Sequence, residues 1–110
     1  MDAKKAIFCE NMHQNHFIFE LTKTCGYSEL FIILKSYTLL DTFRYVKELL
    51  KTENIKLFLK DQYGNTCFLE ECNCKLDEFI RTNHSFFKPI YSLPYQVVYR
   101  INVDDGHCNH

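Results

Sequence analysis

Apolar and polar positions change their spacing several times along the chain, and each change marks an element. Residues 1–15 are mixed and polar with weak periodicity, which reads as an arm or lead-in. In HFIFELTK, Phe17, Phe19 and Leu21 alternate with other residues, the two-residue period of a strand. Thr24-Cys25-Gly26-Tyr27 follows as a turn, with Gly26 able to supply a positive φ. SELFIILK is nearly continuous in apolar residues, a pattern expected of a strand buried on both faces.

The period then lengthens. Thr38-Leu39-Leu40-Asp41 has capping-box spacing, a hydroxyl at the N-cap and an acid three residues on. Leu39, Phe43, Val46 and Leu50 form one stripe at three- and four-residue intervals, with Leu40 and Leu49 beside it. Arg44, Lys47, Glu48 and Lys51 fall mostly on the other side, and the helix is expected to end near 51–54. IKLFLK alternates again, with Ile55, Leu57 and Leu59 on one face. DQYGN is a turn with Gly64-Asn65 at its tip, and TCFLEE is the return strand. LDEFI, from Leu76, has the length of about one helical turn. Pro89 and Pro94 keep the next stretch from being helical. Residues 82–94 therefore read as an irregular crossing loop, 96–103 as a last strand and 104–110 as a tail.

An amphipathic helix of about three turns is marginal alone and needs an apolar sheet face to cover it. The order β-β-α-β-β with a late strand resembles the ubiquitin-like β-grasp over roughly residues 16–103. That resemblance implies an α+β fold, a mixed sheet of four or five strands packed on one main α-helix. It also implies a last strand in the central slot beside the first. Tyr37-Thr38-Leu39-Leu40-Asp41-Thr42 further resembles the Tyr-Thr-x-x-Asp helix entry of the Sin3-associated 18-kDa polypeptide, an adaptor family of ubiquitin-like fold. Ubiquitin-type modifiers end in Gly-Gly. Here Gly106 is single and four residues follow it, a departure that counts against a modifier.

Composition fits one globular domain of 110 residues with 46% apolar and 15% aromatic residues. The net charge of −1 argues against a surface that grips nucleic acid all round, while leaving room for a local basic patch. No run approaches the roughly 18 apolar residues of a membrane helix. No signal peptide is visible behind the first residues, so the six cysteines are expected as free thiols in the reducing cytosol or nucleus.

Three kinds of chemistry have candidate residues in the chain. Cys72-x-Cys74, Cys9-x₃-His13-x₂-His16 and His107-Cys108-x-His110 carry soft ligands, but zinc wants four in a tetrahedron and no Cys-x-x-Cys pair is present. Core and loop thiols are the favoured reading, with no cofactor; structural zinc is the lesser alternative. Cys25 in a turn lacks any visible neighbour that lowers a thiol pKa. The adjacent acids Glu70-Glu71, Asp77-Glu78 and Asp104-Asp105 have the look of solvated carboxylates rather than a tuned pair.

The segment from Phe79 to Val103 has no acid and mixes basic with aromatic residues. Arg81, Phe86, Phe87, Lys88, Tyr91 and Tyr95 are the expected partner-binding residues, with Phe86, Phe87 and Tyr91 as aromatic anchors and Arg81 and Lys88 as charged contacts. Burial of Phe87 is the competing reading. The expected function is a non-enzymatic ubiquitin-like adaptor docking a protein or ribonucleoprotein assembly through the sheet face or an edge strand and this loop. A small ribosome- or RNA-binding factor is the alternative from a different class, and an atypical modifier stands below both.

Overall fold

The computed structural model describes residues 15–87, 91–93 and 96–106, with 91–93 and Gln96 described by backbone alone. Its elements run β1 (His16–Lys23), β2 (Ser28–Leu34), α1 (Leu39–Leu50), β3 (Lys56–Lys60), β4 (Thr66–Phe68), α2 (Leu76–Thr82), β5 (Tyr91–Leu93) and β6 (Gln96–Asp104). The sheet order is β2-β1-β6-β3-β4, with β5 paired to β6 off this path. Strands β1 and β6 are parallel; the other pairs are antiparallel. This is the α+β, ubiquitin-like β-grasp arrangement, with the last strand in the central slot.

Helix α1 begins where its donors are all accounted for. The Thr38 N–H donates to Asp41 Oδ2 at 3.0 Å, and the Asp41 N–H donates to Thr38 Oγ1 at 3.1 Å. The Leu39 and Leu40 N–H groups donate to the carbonyls of Cys74 and Cys72, both at 2.9 Å. A helix start leaves such groups without intrahelical partners, so the loop before α2 completes the cap from 30 or more residues away in sequence. The Leu76 N–H in turn donates to the Tyr37 carbonyl at 2.8 Å, which ties the two helix entries together. Lys51 closes α1 in the left-handed region, with the paired Thr52-to-Lys47 and Lys51-to-Glu48 bonds of a Schellman motif.

Leu39, Phe43 and Val46 bury against Phe19, Leu21, Phe31, Ile33, Leu57, Leu59, Ile101 and Val103 from the sheet. Thr42 is buried beside them and donates its hydroxyl to the Thr38 carbonyl at 3.0 Å. Leu76 and Ile80 of α2 close one end of this core. The turns expected at Gly26 and Gly64 are present, with φ of 100° and 86°.

Four expectations change. First, β2 is buried on one face only. Strand β1 has β6 as its other neighbour, so β2 stands at the edge, burying Phe31 and Ile33 while Leu30 and Leu34 face outward. Second, the helix at Leu76 runs to Thr82, about two turns. Third, the loop expected at 82–94 contains β5, whose Tyr91, Ser92 and Leu93 pair with Val98, Val97 and Gln96. Prolines bar a helix there, but the residues between them suit a strand, and β6 pairs with β3 only over residues 102–104, leaving its start open on that flank. The strand β6 also runs on through Asp104, and Asp105 is buried, forming an ion pair with Lys23 at 2.9 Å.

Candidate functional site

Alternation along β3 puts Leu57 and Leu59 into the core and sends Lys56, Phe58 and Lys60 to the face opposite α1. Phe58 lies opposite Phe68 of β4. The Leu69 N–H donates to Leu57 and the Asp61 N–H to Asn65, so residues 65, 67 and 69 turn their backbone toward β3. Phe58 and Phe68 are thus a non-hydrogen-bonded pair, the closer kind, with ring centroids 5.7 Å apart. Phe68 is 60% exposed, and Lys60 Nζ stands 5.9 Å from the Phe58 ring centroid. Tyr63, at the turn between these strands, is 80% exposed.

The turn is rigidly held. Asp61 accepts from the Tyr63 and Asn65 N–H groups at 2.9 and 2.8 Å and from Asn65 Nδ2 at 2.9 Å. These bonds, led by the Asn65 side chain, hold the Asp61 carboxyl below its ordinary pKa. The outward backbone groups of Thr66 and Phe68 belong to a short edge strand whose one neighbour among the described residues is β3. Exposed rings, a lysine and an open edge therefore meet on one surface. Such a surface suits an apolar or aromatic partner segment.

The residues expected to form the binding segment are dispersed. Arg81 is exposed on α2, and Phe86 is half-buried at the edge of the core. Phe87 is 4% exposed. It meets Phe79 edge-on at 5.9 Å and Tyr99 edge-on at 5.9 Å, and it reaches Phe19 at 6.4 Å. Phe87 is therefore a core ring rather than a surface anchor: the Asn83-to-Phe86 and His84-to-Phe87 turns swing it inward under α2. Lys88 and Tyr95 lie outside the described residues, and Tyr91 is described by its backbone in β5.

Among the basic residues, Arg100 donates through Nε and Nη2 to Glu20 Oε1, the latter at 2.9 Å, and Lys47 pairs with Glu71 at 3.1 Å. Asp77 and Glu78 occupy the first turn of α2, where their charge complements the helix dipole. Cys25 is exposed in the β1–β2 turn, while Cys67, Cys72 and Cys74 are half-buried. Burial pushes the Cys67 thiol pKa up; desolvation does the same for Cys74, with Cys72, Glu78 and Asp77 adding to it. Both shifts oppose nucleophilic and ligating thiolate. No group of three or more His, Cys, Asp and Glu residues suited to a metal occurs among the described residues. His16 buries Nδ1 with no hydrogen-bond partner among the described residues; Cys9, His13 and the His107–His110 cluster, the rest of the metal reading, lie outside the described residues.

The sequence did carry a signal for the Phe58–Phe68 pair. Between Leu57 and Leu59, the strand period assigns position 58 to the solvent side, where a phenylalanine is unusual.

The solved structures similar to this chain include a PB1 domain and a ubiquitin-like domain. The AtNBR1-PB1 domain aligns with a TM-score of 0.54 at 15% identity, over 84% of this chain and 99% of that one. The ubiquitin-like domain from tubulin-binding cofactor B aligns with a TM-score of 0.53 at 12% identity, over 84% of this chain and 91% of that one. At these identities the likeness establishes the ubiquitin-like β-grasp fold. No protein-family model and no curated protein matches the chain. The Tyr37–Thr42 segment is occupied by the α1 cap, and the cap by itself accounts for its Thr and Asp.

Proposed function

We propose that this chain is a non-enzymatic ubiquitin-like interaction domain, an adaptor that docks a protein or ribonucleoprotein assembly. The observation that carries the reading is the Phe58–Phe68 pair on the outer sheet face, with Phe58 half-buried and Phe68 exposed, beside Lys60 and an open strand edge. Buried aromatic anchors supply most of the energy of protein interfaces, and Phe68, 60% exposed on a short edge strand, is placed to become one. The fold shared with a PB1 domain and a ubiquitin-like domain supports the same class. A protein contact is favoured over a direct RNA contact because Lys23, Lys47 and Arg100 each face a carboxylate within 3.1 Å, which neutralises charge that phosphates would need. Exposed Arg81 remains the contact retained from the loop reading.

The test is a pulldown of the tagged chain from its native extract, with and without nuclease, beside a Phe68→Asp variant checked for folding by circular dichroism. The expected result is a protein partner that survives nuclease and is lost with Phe68→Asp. Partners that vanish with nuclease would replace this reading with RNA or ribosome binding.

A further inference from the structure

The opposite edge of the sheet carries a second surface. Strand β2 has seven residues and, among the described residues, one neighbour, β1. Its register with β1 is unbroken from Thr22↔Ser28 to His16↔Leu34, so no bulge twists the edge away. The Lys23 N–H donates to Tyr27 and the Lys35 N–H to Asn15, which assigns the odd-numbered backbone groups of this hairpin to the β1 side. Alternation therefore turns the N–H and C=O groups of Ser28, Leu30, Ile32 and Leu34 outward. The same residues set their side chains on the outer face, where Leu30 is 40% and Leu34 is 41% exposed. Among the described residues β2 has no proline, no lysine, no bulge and no shortness to guard its edge, and Glu29, on the α1 side, is its one charge.

The charges of this strand state what can lie against it. Glu29 is the ionic residue of β2 and Lys35 follows its last residue; both sit on the α1 side, Glu29 opposite Leu21 and Lys35 over the Phe17 ring at 5.4 Å. They stand three residues before and three residues after Ile32. We propose that β2 pairs antiparallel with β2 of a second copy of this chain, on a two-fold axis passing through Ile32. That axis lays each Glu29 against Lys35 of the second copy, Leu30 against Leu34, and Ile32 against Ile32. It makes two symmetric ion pairs on one face and a continuous apolar stripe on the other. Shifting the axis to Phe31 sets Glu29 against Ile33 and Lys35 against Tyr27, and an axis at Ile33 sets Lys35 against Phe31; neither pairs the charges. In the Ile32 register the two Ile32 residues exchange N–H···O bonds, and each Leu34 N–H reaches a Leu30 carbonyl. The Leu34 carbonyl already accepts from the Tyr37 N–H at 3.1 Å and serves the Leu30 N–H as a shared acceptor. The dimer is a sheet continued across the axis, with both α1 helices on the same side. It leaves the Phe58–Phe68 surface at the far edges free.

Sedimentation equilibrium of the full chain tests this, with circular dichroism confirming that each variant folds. The expected result is a reversible dimer in about the 1–100 µM range, as befits a one-strand interface below standard size. Glu29→Lys and Lys35→Glu each place like charges opposite one another and weaken it about tenfold, and the double reversal returns to within about threefold of the parent. Leu30→Lys, a change at an exposed position, abolishes it without unfolding the chain. Amide exchange at Ile32 and Leu34 slows as concentration rises. A chain that stays monomeric up to about 1 mM overturns the proposal and leaves the edge for a strand of another protein. A dimer indifferent to both charge reversals overturns it equally.

Discussion

Lys23 Nζ lies 2.9 Å from Asp105 Oδ2, and the acid, not the lysine, is the buried partner, with 3% of its side chain exposed. The pair joins the end of β1 to the residue after β6 and so fastens the two parallel central strands at one end. Removing the lysine leaves a carboxylate in a site it cannot easily hydrate. Lys23→Met is therefore expected to cost more than Asp105→Asn, about 1–3 kcal/mol by urea denaturation. Equal costs would mean that the acid is hydrated despite its burial.

The reciprocal bonds between Thr38 and Asp41 predict a cap effect. Thr38→Ala removes the acceptor for the Asp41 N–H and is expected to destabilise the fold by about 1 kcal/mol in the same assay. Thr38→Ser keeps the hydroxyl and is expected to remain within a few tenths of a kcal/mol of the parent.

Acid titration has a determined sign. The Thr38 backbone bond, then its side-chain bond, holds the Asp41 carboxyl below its ordinary value of 3.8, and Asp61 is held below 3.8 mainly by Asn65. The folded chain thus binds fewer protons than the unfolded chain when these groups titrate. Their stabilisation is complete above the unfolded value and is lost as pH falls through the folded values. Urea midpoints are expected to drop on acidification below about pH 4, less steeply in Asp41→Asn, which lacks one of the two groups.

Lys51 occupies the left-handed region at φ 55°. A side chain there is strained, and glycine relieves it. Lys51→Gly is expected to stabilise the chain by about 0.5–1 kcal/mol, read as a higher melting temperature.

Two phenylalanines close in sequence-level appearance are expected to behave oppositely. Phe87→Ala empties a site walled by Phe19, Phe79 and Tyr99 and is expected to cost about 3–5 kcal/mol, a loss visible in thermal melting. Phe68→Ala, on an exposed strand, is expected to change stability by less than about 1 kcal/mol and to act on partner capture instead.

The difference between those two rings marks how far the candidate site was legible. Phe86 and Phe87 stand in a basic, Pro-bearing segment that resembles a recognition loop, yet two tight turns aim Phe87 into the core. Phe58 sat at a solvent-parity position that its apolar neighbours masked, and its partner Phe68 joins it only through the β3–β4 register.

By itself the sequence determined the features that hydrogen bonds and side-chain spacing settle within a few residues. These are the Thr38–Asp41 cap, the apolar stripe of α1, the turns at Gly26 and Gly64, and the element order that resembles a β-grasp. Tertiary structure alone decided which strands became neighbours. Glu20 and Arg100 are 80 residues apart and meet side by side only because β6 inserts between β1 and β3. That insertion leaves β2 as an open edge, gives β5 its flank on β6 and draws Asp105 into the fold. Local periodicity states that a strand has two faces; only packing against the rest of the chain states which face and which edge remain for a partner.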